Sequence, residues 1–252
     1  MNRRDMLKVS ATAIAGAAVF GQDVFAKSEA TEEAQPKKVL VIGGHPDDPE
    51  TCCGGTILVL KNAGFDVTAV YLTRGESGIK GKSHDEAAAI RVEEAQNACK
   101  VLGIPHIFLN QIDGHTELND EEYQKMREFL EQEKPDIVFT HWPLDLHKDH
   151  RACTCLVLEA WKRGGYKFEL YFYEAESGTQ SQLFIPTDYV DITEVADKKM
   201  EACNCHASQG MDKVFGVWHS TMELFRGIEF RCKRAEAFVH LRRTGNDFIP
   251  SL

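Results

Sequence analysis

Val39-Leu40-Val41-Ile42-Gly43-Gly44-His45-Pro46-Asp47-Asp48-Pro49-Glu50 joins an apolar run to a polar one without a break. Its first five residues suit a strand buried on both faces of a sheet. The polar half begins where such a strand would end, so its side chains would gather at one edge of the sheet. Outward from there, Gly54 to Ala63 predicts a helix stopped by Gly64. Asp66 to Thr73 is rich in β-branched residues and predicts a second strand. Arg74 to Lys82 holds three glycines and is expected to be a loop. His84 to Leu102 carries apolar residues at helical spacing with Gly103 as its stop, and His106 to Leu109 predicts a third strand. Asn119 with Glu122 has the form of a capping box for a helix that ends before Pro135.

Asp136 to His141 predicts a fourth strand, Arg151 to Arg163 a helix, and Leu170 to Tyr173 a fifth strand. Beyond these, a strand is expected near Tyr189 to Ile192 and a helix from Glu194 to about Ala207. A further helical stretch then runs to about Arg234, and a last strand lies near Ala237 to Leu241. Strands that alternate with helices need crossover connections, which give a parallel sheet covered on both faces. The fold class is therefore α/β, a Rossmann-like three-layer α/β/α sandwich with a mainly parallel sheet. No G-x-G-x-x-G follows the first strand, which disfavours a dinucleotide site.

The 252 residues carry a net charge of -10, with 43% hydrophobic and 27% charged residues. That acidity argues against nucleic acid or an anionic membrane surface as the partner, and is neutral towards a sugar. Arg3-Arg4 precedes an apolar run from Val9 to Phe20, and Val24-Phe25-Ala26 presents small residues where a signal peptidase reads. Residues 1–26 thus read as an export signal of the twin-arginine type, 27–37 as a polar linker, and 38–252 as one domain. The apolar run is too short to span a bilayer, so no stable membrane span is expected after signal removal. The mature chain is expected to be periplasmic or otherwise extracytoplasmic. Cys153/Cys155 and Cys203/Cys205 are two residues apart in predicted helices, where side chains point about 200° apart and cannot share a metal. Buried small apolar side chains are the better account.

The chemistry lies in two segments, each after a buried strand. One is Gly44 to Glu50; the other is His141-Trp142-Pro143-Leu144-Asp145-Leu146-His147-Lys148-Asp149-His150. Loops at the carboxyl ends of parallel strands meet where the strand order reverses. Together they offer His45, Asp48 and His150, two imidazoles and a carboxylate that leave a fourth position open, as in a catalytic zinc site. Iron or cobalt could occupy the same donors. Asp47 is left free to take a proton from water. His147 is left to donate to the intermediate and leaving amine, with Asp149 expected to hold its imidazole and favour its protonated form. Asp145 reads either as a turn residue or as a spare carboxylate near the metal.

These motifs resemble the PIG-L/LmbE-like N-acetylglucosaminyl deacetylase family. The resemblance rests on His45 to Glu50 followed by Gly54-Gly55-Thr56, on Thr73 to Glu76, and on His141 to His150. It continues weakly in His206-x-Ser208-Gln209 and Ala235-Glu236-Ala237-Phe238. It implies zinc-dependent deacylation of a compound containing N-acetylglucosamine, with the metal ligands and catalytic residues named above. It also implies a place for Arg91 near the substrate; the alternative is a surface arginine paired with Glu94. Trp142, Glu50, His206 and Gln209 are further candidates for substrate contact, and packing roles serve them equally. The expected partner is an amino sugar or glycoconjugate. Two other readings stay open: an amidase of the same mechanism on another acyl-amide, and an exported sugar-binding protein with a non-catalytic metal.

Overall fold

The computed structural model describes residues 35–211, 213 and 216–242, and the export-signal expectation falls outside them. From Pro36 onward the chain forms one compact unit. Its sheet has seven strands in the order β3-β2-β1-β4-β5-β7-β6. β1 (Lys38–Gly43), β2 (Asp66–Thr73), β3 (His106–Gln111), β4 (Ile137–His141) and β5 (Glu169–Tyr173) run parallel. β7 (Ala235–Leu241) enters antiparallel between β5 and β6 (Asp188–Asp191). The sequence order therefore reverses between β1 and β4, where the two motifs meet.

Alternation along β1 builds two cores. Val39 and Val41 face one cluster, Leu40 and Ile42 the other. The first lies under α1 (Asp48–Asn62), α2 (His84–Leu102) and α5 (Ala196–Cys203). The second lies under α3 (Asp120–Glu133) and α4 (Lys148–Arg163). α6 (Gly216–Phe230) packs along β7. Gly103 ends α2 at φ +69°, as its position after the helix requires. Ser83 and Glu86 form a full capping box on α2, whereas Asn119 caps α3 without a reciprocal bond from Glu122.

One long-range contact ties the last strand to the first helix. The Glu236 carboxylate accepts the Gly55 and Thr56 N–H groups of α1 at 2.8 and 2.7 Å. Lys199 neutralises it from α5 at 2.7 Å and also meets Glu223 of α6 at 2.8 Å. The lysine is wholly enclosed, so its charge depends on both partners. All eight cysteines are free. Cys52, Cys53, Cys99, Cys153 and Cys203 are buried; Cys155 is exposed, and Cys205 and Cys232 are half-buried. The small-apolar account therefore holds for only one member of each C-x-C pair.

Candidate active site

α1 begins at Asp48, not at Gly54 as the sequence suggested, so the acidic motif is itself the start of the helix. This is possible because Gly43 has no side chain: a Cβ there would lie 2.6 Å from Asp48 Cβ and 2.8 Å from Pro49 Cδ. Asp47 precedes the helix at φ 110°, a conformation costly for any residue but glycine. The strain is held by Thr51, whose N–H and hydroxyl donate to the Asp47 carbonyl at 2.9 and 2.8 Å. Arg91 holds the Asp47 carboxylate at 3.1 Å and donates to the Pro46 carbonyl. Gly75 and Gly78 leave room for that guanidinium. Arg91 is thus buried against the site, and Glu94 instead accepts the Ser208 N–H and hydroxyl.

The second motif behaves likewise. α4 begins at Lys148, not Arg151, so His150 occupies its first turn and His147 its cap. Donor atoms of three residues now converge, each imidazole lying near a different oxygen of Asp48. His45 Nδ1 lies 3.2 Å from His150 Nε2 and 3.3 Å from Asp48 Oδ2, and His150 Nε2 lies 3.3 Å from Asp48 Oδ1. Tetrahedral zinc with bonds of about 2.0–2.1 Å separates its donors by about 3.3 Å, so the set fits that ion. Each imidazole is also held from behind. His45 Nε2 faces Asp113 Oδ1 at 3.2 Å and Asp149 Oδ2 at 3.3 Å. His150 Nδ1 faces Asp145 Oδ1 at 3.3 Å and Gln180 at 2.9 Å. Carboxylates behind a ligating histidine fix its tautomer and raise its basicity. Asp145, open between two readings in the sequence, takes the second of these places.

Asp48, His141 and His150 form another group close enough to share a metal. His141 Nε2, however, already accepts the Gly44 N–H at 2.9 Å, which occupies its lone pair. The remaining clusters are His45 with His147 and His150, and His45 with Asp113 and Asp149. Both share His45 with the fitting set and extend it.

Charge follows geometry. Burial disfavours a charged His150, but Asp48 and Asp145 outweigh it and lift its pKa to about 9. In His45 burial is likewise overcome, by Asp113, Asp149 and Asp48, and the pKa rises well above the ordinary value. Burial opposes ionisation of Asp48, yet His150 and His141 hold it well below the usual carboxylate range. Asp47 goes the other way: burial raises it to about 6 against the pull of Arg91. Two adjacent aspartates are thereby split into a permanent anion and a group able to exchange a proton near neutrality.

Several expectations need correction. The Asp149 carboxylate does not face His147. It accepts the Gly114 N–H at 2.7 Å and the Thr116 hydroxyl at 2.6 Å, and backs His45. His147 is held instead by the Asp149 backbone, whose N–H donates to Nδ1 at 3.3 Å. That bond places the proton of the neutral ring on Nε2. Burial and the neighbouring His45 and His150 lower the pKa of His147, so the expected bias towards its protonated form is reversed. Glu50 and His206 are fully buried, 3.6 Å apart, with the Tyr71 hydroxyl donating to Glu50. Neither reaches substrate space. Trp142 makes T-shaped contacts with Phe172 and Phe184, donates its indole N–H to the Gln182 carbonyl at 2.8 Å, and does not line the cavity onto which the donors open.

The donors open into a cavity of about 460 Å³ that also takes in Arg91 and His147. Its other wall comes from Glu176 and Gln180 after β5, and from Gln209, Met211 and His219 beyond α5. Of these five, the sequence offers only Gln209, which the structure brings to the cavity. Asp113 was also missed, although it follows β3 at the same carboxyl edge as the recognised motifs and was legible on that ground.

The family model described as PIG-L, GlcNAc-PI de-N-acetylase, matches residues 40–161. The diacetylchitobiose deacetylase of Thermococcus kodakarensis is 32% identical over 209 residues, covering 76% of this chain and 78% of that protein. A probable N-acetyl-alpha-D-glucosaminyl L-malate deacetylase 2 of Bacillus anthracis is 30% identical, covering 71% and 84%. The solved N,N'-diacetylchitobiose deacetylase from Pyrococcus horikoshii, in complex with its inhibitor MPG, superposes with a TM-score of 0.72 at 27% identity over 81% of this chain and 84% of that one. With both metal motifs inside the matched region and the sheet order that brings them together, the chain belongs to the PIG-L family of GlcNAc-PI de-N-acetylases.

Proposed function

We propose that this chain is an exported, zinc-dependent hydrolase that removes the acetyl group from an N-acetylglucosamine unit of a sugar or glycoconjugate. The observation that carries the reading is the triangle of His45, Asp48 and His150 donors with Asp47 strained, half-buried and proton-exchangeable beside it. Zinc held by these donors supplies carbonyl polarisation and a more acidic water. The protein supplies the rest. Asp47 takes a proton as the water oxygen attacks the acyl carbon. His147, a neutral donor through Nε2, faces the cavity where negative charge develops on the acyl oxygen. When the C–N bond breaks, the proton held by Asp47 is available to the leaving amine, and acetate is the other product. Arg91 orients Asp47 through its 3.1 Å ion pair.

Related proteins named as deacetylases of diacetylchitobiose and of an N-acetylglucosaminyl malate support the sugar class. Export is supported by Arg3-Arg4, the apolar run after them and Val24-Phe25-Ala26; a reporter fused to residues 1–30 that stays in the cytoplasm would refute it.

The decisive experiment measures acetate and free amine from a panel of N-acetylglucosaminides, with and without chelator. Chelator-sensitive release of both is expected. Release of a larger acid from another acyl-amide would replace the deacetylase by an amidase. Sugar binding with metal retained and no release would leave only a binding protein.

A further inference from the structure

His219 lies in the first turn of α6 and is 7% exposed, yet that small exposure opens into the cavity shared with His45, Asp47 and Asp48. No side-chain hydrogen bond joins either ring nitrogen to another described residue. Among the other buried histidines, His45 and His150 are engaged by carboxylates and His141 accepts the Gly44 N–H, while His206, away from the cavity, has only Glu50 at 3.6 Å. An enclosed polar ring without a partner is costly unless something else completes it. Beside His219 lies a small pocket of about 20 Å³, bounded by Lys199 and Glu223. Lys199 is already matched by Glu223 and Glu236, and Glu223 also by Arg234. On that side Glu223 Oε1 accepts no hydrogen bond but is met by the Lys199 ammonium at 2.8 Å, so its charge is balanced without the imidazole. Burial, reinforced by Lys199, drives the His219 pKa down to about 4, so the ring is neutral.

A neutral imidazole offers one N–H donor and one lone-pair acceptor, the same pair that a hydroxyl offers in return. The charges around it point the same way. Asp47, Asp48, Asp113 and Glu176 line the cavity, and Arg91, the one arginine or lysine among its described residues, is matched to Asp47, so no free guanidinium or ammonium is offered to a phosphate. We infer that His219 is a specificity-determining residue that binds a hydroxyl of the sugar bearing the scissile amide, in a cavity suited to an uncharged glycan rather than one with a phosphate beside the reacting unit. This rests on the deacetylase reading.

The test uses the full zinc-loaded chain with two probes, N,N'-diacetylchitobiose and N-acetylglucosamine 1-phosphate. Turnover and calorimetric binding are measured for wild type, His219→Ala and His219→Gln. The expected result is a KM and Kd for the disaccharide about three- to tenfold weaker in His219→Ala, the worth of one hydrogen bond to a neutral group. Expected with it are partial recovery in His219→Gln, kcat within about threefold, and unchanged zinc content and melting temperature. Wild type should prefer the disaccharide over the phosphate by at least about tenfold. Unchanged KM and Kd in a folded, zinc-loaded His219→Ala protein overturn the inference, as does preference for the phosphate. If wild type binds the disaccharide but releases no acetate, the deacetylase reading fails while the Kd comparison still decides on His219. If it does neither, both fall.

Discussion

The two walls of the cavity are built on different terms. On the wall formed after β1 and β4, nearly every polar side chain has a partner inside the protein: His45 has Asp113 and Asp149, His150 has Asp145 and Gln180, Asp47 has Arg91. On the wall from the β5 loop and α6, Gln180 is engaged by His150, but the Glu176 carboxylate meets only Thr179 at 3.1 Å, and His219 meets no described side chain by hydrogen bond. The first wall is organised before any substrate arrives, as electrostatic catalysis requires. The second is left for the ligand to complete. In the proposed reading, chemistry sits on the first wall and discrimination on the second.

The largest effect that can break this contrast is removal of a donor. His45→Ala should lose zinc on dialysis and lower acetate release about a thousandfold or more; metal content measured beside turnover checks it, and a zinc-loaded, active variant would dismantle the donor set. Next is Asp47→Asn, expected to keep zinc while losing about a hundred- to ten-thousandfold in kcat. It should also stabilise the chelated protein. The folded pKa of about 6 lies above the unfolded value, so the native state loses stability as pH rises from about 4 to about 6 and stays lower above that. The gain on substitution is therefore full above pH 6, about 1–3 kcal/mol, and gone below pH 4. Denaturant titrations at pH 4 and pH 8 would show it, and an equal effect at both would disprove it. Asp149→Asn and Asp145→Asn come third. Each should weaken zinc binding about ten- to hundredfold with kcat largely restored at saturating zinc. If Asp149→Asn instead costs kcat alone, the carboxylate serves His147 after all. Smallest is Trp142→Phe, for which KM should move less than about twofold, because the ring packs on protein and not on sugar.

How much of this was legible in the chain follows the same division. The five parallel strands stood out because each is a short apolar or β-branched run bounded by breakers, and the fold class followed from their alternation with helices. The donors were legible because a catalytic metal demands particular side chains at a strand edge. Helix starts at Asp48 and Lys148 were not, since Pro, His and Asp in the first turn read equally well as loop. The antiparallel insertion of β7 was invisible because strand order is set by contacts such as Phe139 with Phe238, not by any local pattern. Asp149 shows the limit most sharply. Sequence neighbourhood paired it with His147, two residues away, whereas the helical turn sends its carboxylate to His45, 104 residues away.

Glu236 grips α1 from a point 181 residues downstream of Gly55. The ribosome therefore releases the helix that carries Asp47 and Asp48 long before the strand that anchors it. At roughly 5–20 residues per second the interval is about ten to forty seconds. During that time the motif is chemically complete and mechanically unfinished. Metal capture should consequently belong to the end of synthesis: stalled chains lacking residues from Ala235 onward should hold zinc more weakly than released ones, and equal retention by both would show that the early helix needs no late strand.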